Sequence, residues 1–167
     1  MKNNILKLAI ILIFINCKAQ TPIIDTYGPQ GYPDVNGAYY KDVNGFQNQY
    51  VGTWLYTNGT NSLKITFQKR DFKYIQSNIN YYDDFLVGEY QYIENGIEKV
   101  NTLNNLNIDY GNDIYKYNLY SVSKIKYARN DCPECGVNEH RLSMNFNEPS
   151  RYNIEDLYNE FRIRAFS

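Results

Sequence analysis

Residues 50–69 read YVGTWLYTNGTNSLKITFQK and carry the clearest structural signal in the chain. In the second half, the apolar side chains at 63, 65 and 67 alternate with polar ones, which is typical of a strand with one buried face. Between the two halves, Asn58-Gly59 is a dipeptide that accepts the positive φ angles of a tight hairpin turn. The stretch therefore predicts a β-hairpin in which Trp54 and Tyr56 share one face of the first strand.

The rest of the chain repeats this pattern of short strands separated by Asn- and Gly-rich turns. A second hairpin is predicted over 85–93 and 97–103, and further strands over 114–127, 140–146 and 161–166. The strands at 114–127 and 140–146 flank a cysteine loop and are expected to form a third hairpin. Helical signals are confined to a turn at 47–50 and another at 154–158. The sequence thus predicts an antiparallel all-β domain, either a curved sheet or a barrel.

The amino terminus has the features of an export signal. Lys2 and Lys7 precede the unbroken apolar run LAIILIFI at 8–15, which is too short to span a bilayer. Residues 1–16 are therefore predicted to be a signal peptide. Two processing routes remain open: acylation of Cys17 as the first residue of a lipoprotein, which we favour, or ordinary cleavage before Gln20. Both place the protein outside the cytoplasm, in the periplasm or anchored to the outer membrane by the lipid.

Composition narrows the class of partner. Without residues 1–16, the chain keeps 15 basic against 18 acidic residues, so its net charge is −3. This balance argues against nucleic acid, whose phosphates require a basic face. Eighteen tyrosines are compatible with an aromatic binding surface, but an A/T-rich genome would also enrich tyrosine and asparagine codons.

Three regions follow from these observations. After the signal, residues 17–46 are rich in proline and glycine and lack periodicity, so they are either a tether or an ordered strap. In the strap alternative, Tyr39, Tyr40 and Phe46 would pack it onto the domain. The all-β domain then occupies 47–167.

Two resemblances add to this interpretation. The Gly52-x-Trp54 of YVGTW resembles the opening motif of lipocalin-like proteins, which implies a barrel whose closed end is capped by a buried Trp54. The segments NCKAQTPI, AYYKDVNGFQNQYVGTWLYTNG, LVGEYQYIENGIEKVNTL and YNLYS resemble a family of small exported bacterial proteins of unknown function. That likeness spans about residues 14–150 and implies no activity. Its members continue past Ser167, so the sheet is expected to be incomplete at the carboxyl terminus.

The loop NDCPECGVNEH holds the remaining two cysteines, Cys132 and Cys135. Export favours a small disulfide between them, since the compartment is oxidising and Pro133 and Gly136 favour a sharp turn. A zinc knuckle is the alternative, although four ligands are needed and His140 is the single histidine. A redox pair is a third alternative. We predict the disulfide and no metal or cofactor.

The sequence contains no recognisable arrangement of catalytic residues. A hydrolytic triad would have to use His140, and its neighbours Glu139 and Ser143 form no recognisable motif. The paired carboxylates Asp83-Asp84 and Glu155-Asp156 are interpreted as solvated loop residues. No catalytic residues are predicted, and the protein is expected not to be an enzyme.

The sequence therefore predicts an exported cell-envelope protein that binds a small apolar molecule in a lipocalin-like β-domain. Trp54, Tyr56, Tyr90 and Tyr92 are the predicted wall residues of that site. The alternative is a structural or interaction module of the envelope, whose interior is packed with side chains and holds no ligand. A cavity on the scale of ~300 Å³ would favour the first hypothesis.

Overall fold

A computed structural model describes residues 21–29, 33–126, 133–136, 138–149 and 159–164. The predictions for the signal peptide, Cys17, Cys132 and the turn at 154–158 lie outside these residues. The described part contains nine strands and three short 3₁₀ turns, Phe46–Tyr50, Leu103–Asn107 and Ile114–Lys116. The strands are β1 (Ile23–Asp25), β2 (Tyr39–Lys41), β3 (Gly52–Asn58), β4 (Asn61–Ile75), β5 (Tyr81–Glu94), β6 (Ile97–Asn101), β7 (Leu119–Lys126), β8 (His140–Phe146) and β9 (Asn159–Ile163).

All nine strands belong to one mixed sheet that does not close into a barrel. The all-β prediction is confirmed in its open-sheet form. Strand β5 is the centre: β4 pairs along its length, while β2, β7 and β6 pair with successive parts of it. The β1–β2 and β2–β5 pairs are parallel, and the other pairs are antiparallel. Strands β7, β8 and β9 then continue the sheet from β5.

The three predicted hairpins are confirmed by the pairing of β3 with β4, β5 with β6, and β7 with β8. Asn58 pairs with Asn61 across the first turn, where Gly59 has φ 60°. The helical turn predicted at 47–50 is present as well, as the 3₁₀ turn Phe46–Tyr50. These predictions succeed because strand alternation and turn chemistry are both local in sequence.

The prediction of a single long strand over 114–127 is wrong. Ile114–Lys116 forms a 3₁₀ turn, and β7 begins only at Leu119. Ile114 and Tyr117 are buried, and the Tyr117 hydroxyl donates a hydrogen bond to the Ile108 carbonyl. The backbone N–H of Asn118 donates to the side-chain carboxylate of Glu89 in β5 and not to a backbone carbonyl of that strand. These tertiary contacts override the strand propensity of the segment.

The central strand β5 is packed on both faces. Its residues at 86 and 90 enter one core, whose buried members are Tyr50, Ile65, Phe67, Leu86, Tyr90, Leu119, Leu142 and Met144. Its residues at 81, 85 and 87 enter a second core on the other face, with Ala38, Tyr40, Ile75, Leu106, Ile114 and Tyr117. Because side chains alternate along a strand, one segment of sequence supplies two cores. We call these the first and second cores.

The proline- and glycine-rich segment enters the sheet in its described part. Strand β2 pairs with β5, β1 pairs with the other edge of β2, and Tyr40 is buried in the second core. The Tyr40 hydroxyl accepts hydrogen bonds from the N–H groups of Asp34 and Val35 and donates one to the Asp34 carboxylate. Residues 33–46 therefore lie against the domain through both backbone pairing and side-chain packing.

Candidate functional site

The four aromatic residues predicted to line a ligand site lie on one face of the sheet. Trp54 in β3 pairs with Ile65 in β4, which pairs with Tyr90 in β5. In the neighbouring row, Tyr56 pairs with Leu63, which pairs with Tyr92. Directly opposed residues on one face of a sheet have Cβ atoms about 4.5–5.5 Å apart, so these rows form a continuous aromatic and aliphatic surface. We call it the aromatic face.

A small pocket lies at the inner end of the aromatic face. It has a volume of about 200 Å³ and is lined by Leu63, Ile65, Tyr90, Leu119 and Phe146. The rings of Tyr90 and Phe146 are 5.4 Å apart between centroids. Burial raises the pKa of the Tyr90 hydroxyl to about 12, so this ring is uncharged at neutral pH. The pocket is smaller than the ~300 Å³ typical of drug-sized ligands, yet an apolar cavity of ~150 Å³ accepts one benzene ring.

Trp54 and Tyr56 form the exposed rim of this face, and the prediction that Trp54 is buried is wrong. Trp54 is 42 % exposed and Tyr56 is 64 % exposed. In the described residues β3 pairs only with β4, and no second layer covers it. The indole N–H of Trp54 donates a 2.9 Å hydrogen bond to the Tyr50 carbonyl, which fixes the ring beside the first core. Trp54 thus does not cap a closed barrel.

Leu119 and Phe146 complete the pocket and were missed as site residues in the sequence. Both come from the β7–β8 hairpin, where Leu119 pairs with Phe146, and Leu119 also pairs with Gly88 of β5. Their alternation marks them as strand residues, but the side of the sheet on which β7 and β8 join β5 is a long-range property. No local signal indicates it.

The prediction that Asp83 and Asp84 are solvated loop residues is wrong. Both are 3 % exposed and lie within β5. The Asp84 carboxylate accepts hydrogen bonds from the Tyr39 hydroxyl and from the N–H groups of Asp42 and Phe72, at 2.6, 3.1 and 3.0 Å. Asp42, also buried, accepts from the N–H groups of Phe46 and Gln47. These acceptors are already occupied by donors from the chain, so the cluster joins the strap to the sheet.

His140, the single histidine, is exposed and lines a groove with Thr26, Ser123 and Lys124. Ser143 lies on the face of β8 opposite to His140, because His140 shares its face with Leu142 and Met144, which enter the first core. The Glu139 carboxylate accepts hydrogen bonds from the Gly136 N–H and from the Arg141 guanidinium. Neither neighbour is therefore placed to form a triad with His140.

Glu89 is a fully buried carboxyl group of β5. Its Oε1 accepts a hydrogen bond from the Asn118 N–H, while Oε2 has no partner within the described structure. Burial raises the pKa of Glu89 above its ordinary value of 4.5. At pH values between the ordinary and the raised pKa, the folded protein therefore retains a proton that the unfolded chain releases.

We expect Glu89 to make the protein less stable as pH rises. Its contribution is fully present below the ordinary carboxyl pKa and is lost as pH rises through the higher folded value. Glu89→Gln, which has the shape of the protonated acid, should remove this pH dependence and equal or exceed the parent in stability at pH 7. Urea unfolding across pH 4–8 measures it. A parent protein that gains stability over this range relative to Glu89→Gln would contradict the assignment.

Only one of the two cysteines in the predicted disulfide is among the described residues. Cys135 is 5 % exposed, and Cys132 lies outside the described residues. The disulfide, and the zinc and redox alternatives, stay predictions. In the described part of the chain, no three His, Cys, Asp or Glu residues are grouped as metal ligands. Among the same residues, no helix has the length and apolarity needed to cross a membrane.

The comparisons with other proteins identify a family but no activity. A search of curated proteins and a search of solved structures each found no match. A family model described as a family of unknown function (DUF6705) matches residues 1–160, nearly the whole chain. The resemblance to an uncharacterised family is thereby confirmed, and this chain belongs to the DUF6705 family.

Proposed function

We propose that the protein is an exported envelope protein that binds a small apolar molecule on its aromatic face. The observation that carries this proposal is the wholly apolar pocket beside Tyr90, bordered on the same face by the exposed rings of Trp54 and Tyr56. Its volume of about 200 Å³ suits a single ring with short substituents. The ring would enter the pocket, and the rim side chains would cover its open side.

The binding energy available at such a site is modest. Desolvation of apolar surface contributes roughly 25 cal/mol per Å², and an added aromatic pair contributes about 0.5–1.5 kcal/mol. Because Tyr90 and Phe146 already contact one another, the pocket wall is formed before the ligand arrives. A preformed wall lowers the ordering cost of binding.

A structural or interaction module is the second candidate function. The packing of β5 between two cores favours it, because the interior of the domain is then filled by side chains. In this case the small pocket is a packing defect, and the exposed aromatic rim contacts another macromolecule. The two candidates differ in whether a single-ring ligand binds saturably.

Toluene is a suitable probe because it is neutral and matches the pocket in size. We expect saturable shifts of the Trp54 indole N–H and of the backbone amides of β4 and β5 in NMR titrations. Ile65→Phe, which places a ring in the pocket, should abolish them. Tyr56→Ala should weaken binding about two- to tenfold, the equivalent of one aromatic contact.

Leu55→Ala is the matched control for the rim. Leu55 precedes Tyr56 in β3, is similarly exposed at 62 %, and lies on the opposite face of the strand. It should leave toluene binding unchanged. Equal losses from Leu55→Ala and Tyr56→Ala, or binding that survives Ile65→Phe, would favour the structural module.

The envelope location is a separate part of the proposal, supported by the basic start and apolar run of residues 1–16. We expect the mature chain to begin at an acylated Cys17, with several acyl chains, because one chain gives only marginal membrane binding. Cys17→Ser should release the protein from the membrane or stall its processing. Intact-mass measurement reads the result, and a native amino terminus at Gln20 would contradict acylation.

A further inference from the structure

A second cavity lies at the opposite end of the β7–β8 hairpin from the aromatic pocket. The aromatic pocket contacts Leu119 and Phe146, whereas this groove contacts Lys124 and His140 several residues along the same two strands. Its volume is about 430 Å³, within the range typical of small-molecule sites. Thr26, Tyr27, Gly28 and Pro29 form the other wall, so the strap closes one side of the groove.

The groove combines a cationic side with an aromatic side. The Lys124 ammonium lies 4.8 Å from the centroid of the Phe46 ring, a cation–π contact. The same ring is in edge-to-face contact with Tyr27 at 5.0 Å and with His140 at 6.5 Å. Phe46, which is not itself a lining residue, thus holds the lysine and histidine side chains on one side of the groove, and Tyr27 supplies the aromatic part of the lining.

Lys124 carries the positive charge of this groove. No described ion pair includes Lys124. The nearest acidic residue in sequence to His140 is Glu139, which is engaged by Arg141 and Arg164. On the strap side, the Asp25 carboxylate accepts hydrogen bonds from the Tyr27 N–H and the Asn44 amide, and the Asp83 carboxylate accepts one from the Thr26 hydroxyl. An anionic ligand would supply the missing counter-charge.

We propose that this groove binds a small organic carboxylate with an aromatic or apolar body. The Lys124 ammonium pairs with the carboxylate, and the imidazole of His140 supplies a hydrogen bond. The Tyr27 ring and the side chains of Pro29 and Val122, which line the groove, contact the apolar body. A single lysine supplies one positive charge, which balances the single charge of a carboxylate. The site is separate from the aromatic pocket and does not depend on it.

Benzoate, benzamide and inorganic phosphate are the probes that test the assignment by calorimetric titration of the full mature chain. Benzoate should bind saturably, and benzamide, which has the same ring without the charge, should bind at least tenfold more weakly. Lys124→Met keeps the length of the side chain and removes its charge, so it should weaken benzoate binding about tenfold, which corresponds to ~1.4 kcal/mol. His140→Gln should weaken it by a smaller factor.

Lys64→Met is the matched control, because Lys64 alternates with the core residues of β4 and faces the other side of the sheet. It should leave benzoate binding unchanged. The proposal would be overturned if Lys64→Met and Lys124→Met weakened benzoate binding equally. It would also be overturned if benzoate and benzamide bound equally well, or if phosphate bound more tightly than benzoate. Benzoate should also fail to displace toluene, and displacement would overturn the claim of a separate site.

Discussion

Asp84→Ala is expected to destabilise the protein by about 3–5 kcal/mol. The substitution leaves three donors without their acceptor: the Tyr39 hydroxyl and the N–H groups of Asp42 and Phe72. Each buried donor left unpaired costs about 1–3 kcal/mol. The total is a large fraction of the ~5–15 kcal/mol by which domains are usually stable. Phe72 also has φ 55°, an unusual angle for a non-glycine residue, and Asp84 is its side-chain hydrogen-bond partner there.

Urea unfolding followed by circular dichroism measures this effect. Asp84→Asn keeps one acceptor oxygen and should fall between the parent and Asp84→Ala. Asp71→Ala is the control, because its carboxylate is 61 % exposed and lies 3.8 Å from the Lys69 ammonium, an interaction expected to contribute little. If Asp84→Ala cost no more than Asp71→Ala, the buried cluster would not hold the strap.

Gly88→Ala is expected to cost about 1–3 kcal/mol through overpacking. A Cβ atom at Gly88 would lie 2.6 Å from Cδ1 of Phe67 and 3.3 Å from Cβ of Leu119. Phe67 is buried in the first core, so its ring has little room to move. The ring of Phe67 lies over the glycine, as occurs where a strand approaches its neighbour closely.

A double-mutant cycle with Phe67→Leu isolates this contact. The smaller leucine relieves the clash, so Gly88→Ala should cost less in the Phe67→Leu background than in the parent. Unfolding free energies of the four proteins give the coupling. Strictly additive costs would show that the ring and the glycine do not interact as the packing indicates.

The parts of the fold that could be predicted are those with local causes. The hairpin at 50–69 follows from period-two alternation and the Asn58-Gly59 turn, and the inward positions of Leu63, Ile65 and Phe67 follow from the same pattern. Asp83 and Asp84 could not be interpreted correctly, because Tyr39 and Asp42, which satisfy Asp84, are more than forty residues away in sequence. Two adjacent carboxylates are otherwise typical of exposed loops.

The candidate site shows the same division. Alternation along β3 and β5 places Trp54, Tyr56, Tyr90 and Tyr92 on one face, as predicted from the sequence. Alternation does not determine which of the four side chains is buried, because burial depends on the other strands that pack against each one. Tyr90 is buried since the β7–β8 hairpin joins β5 beside it, whereas β3 in the described structure has no such neighbour.

Native mass spectrometry of the protein isolated gently from cells that produce it tests the central claim most directly. If the aromatic face binds a small apolar molecule, the parent protein should carry a non-covalent adduct that is released on activation. The Ile65→Phe variant, with its pocket filled, should be isolated without it. An adduct of the same mass and occupancy on both proteins, or bare protein in both cases, would contradict ligand binding at this pocket.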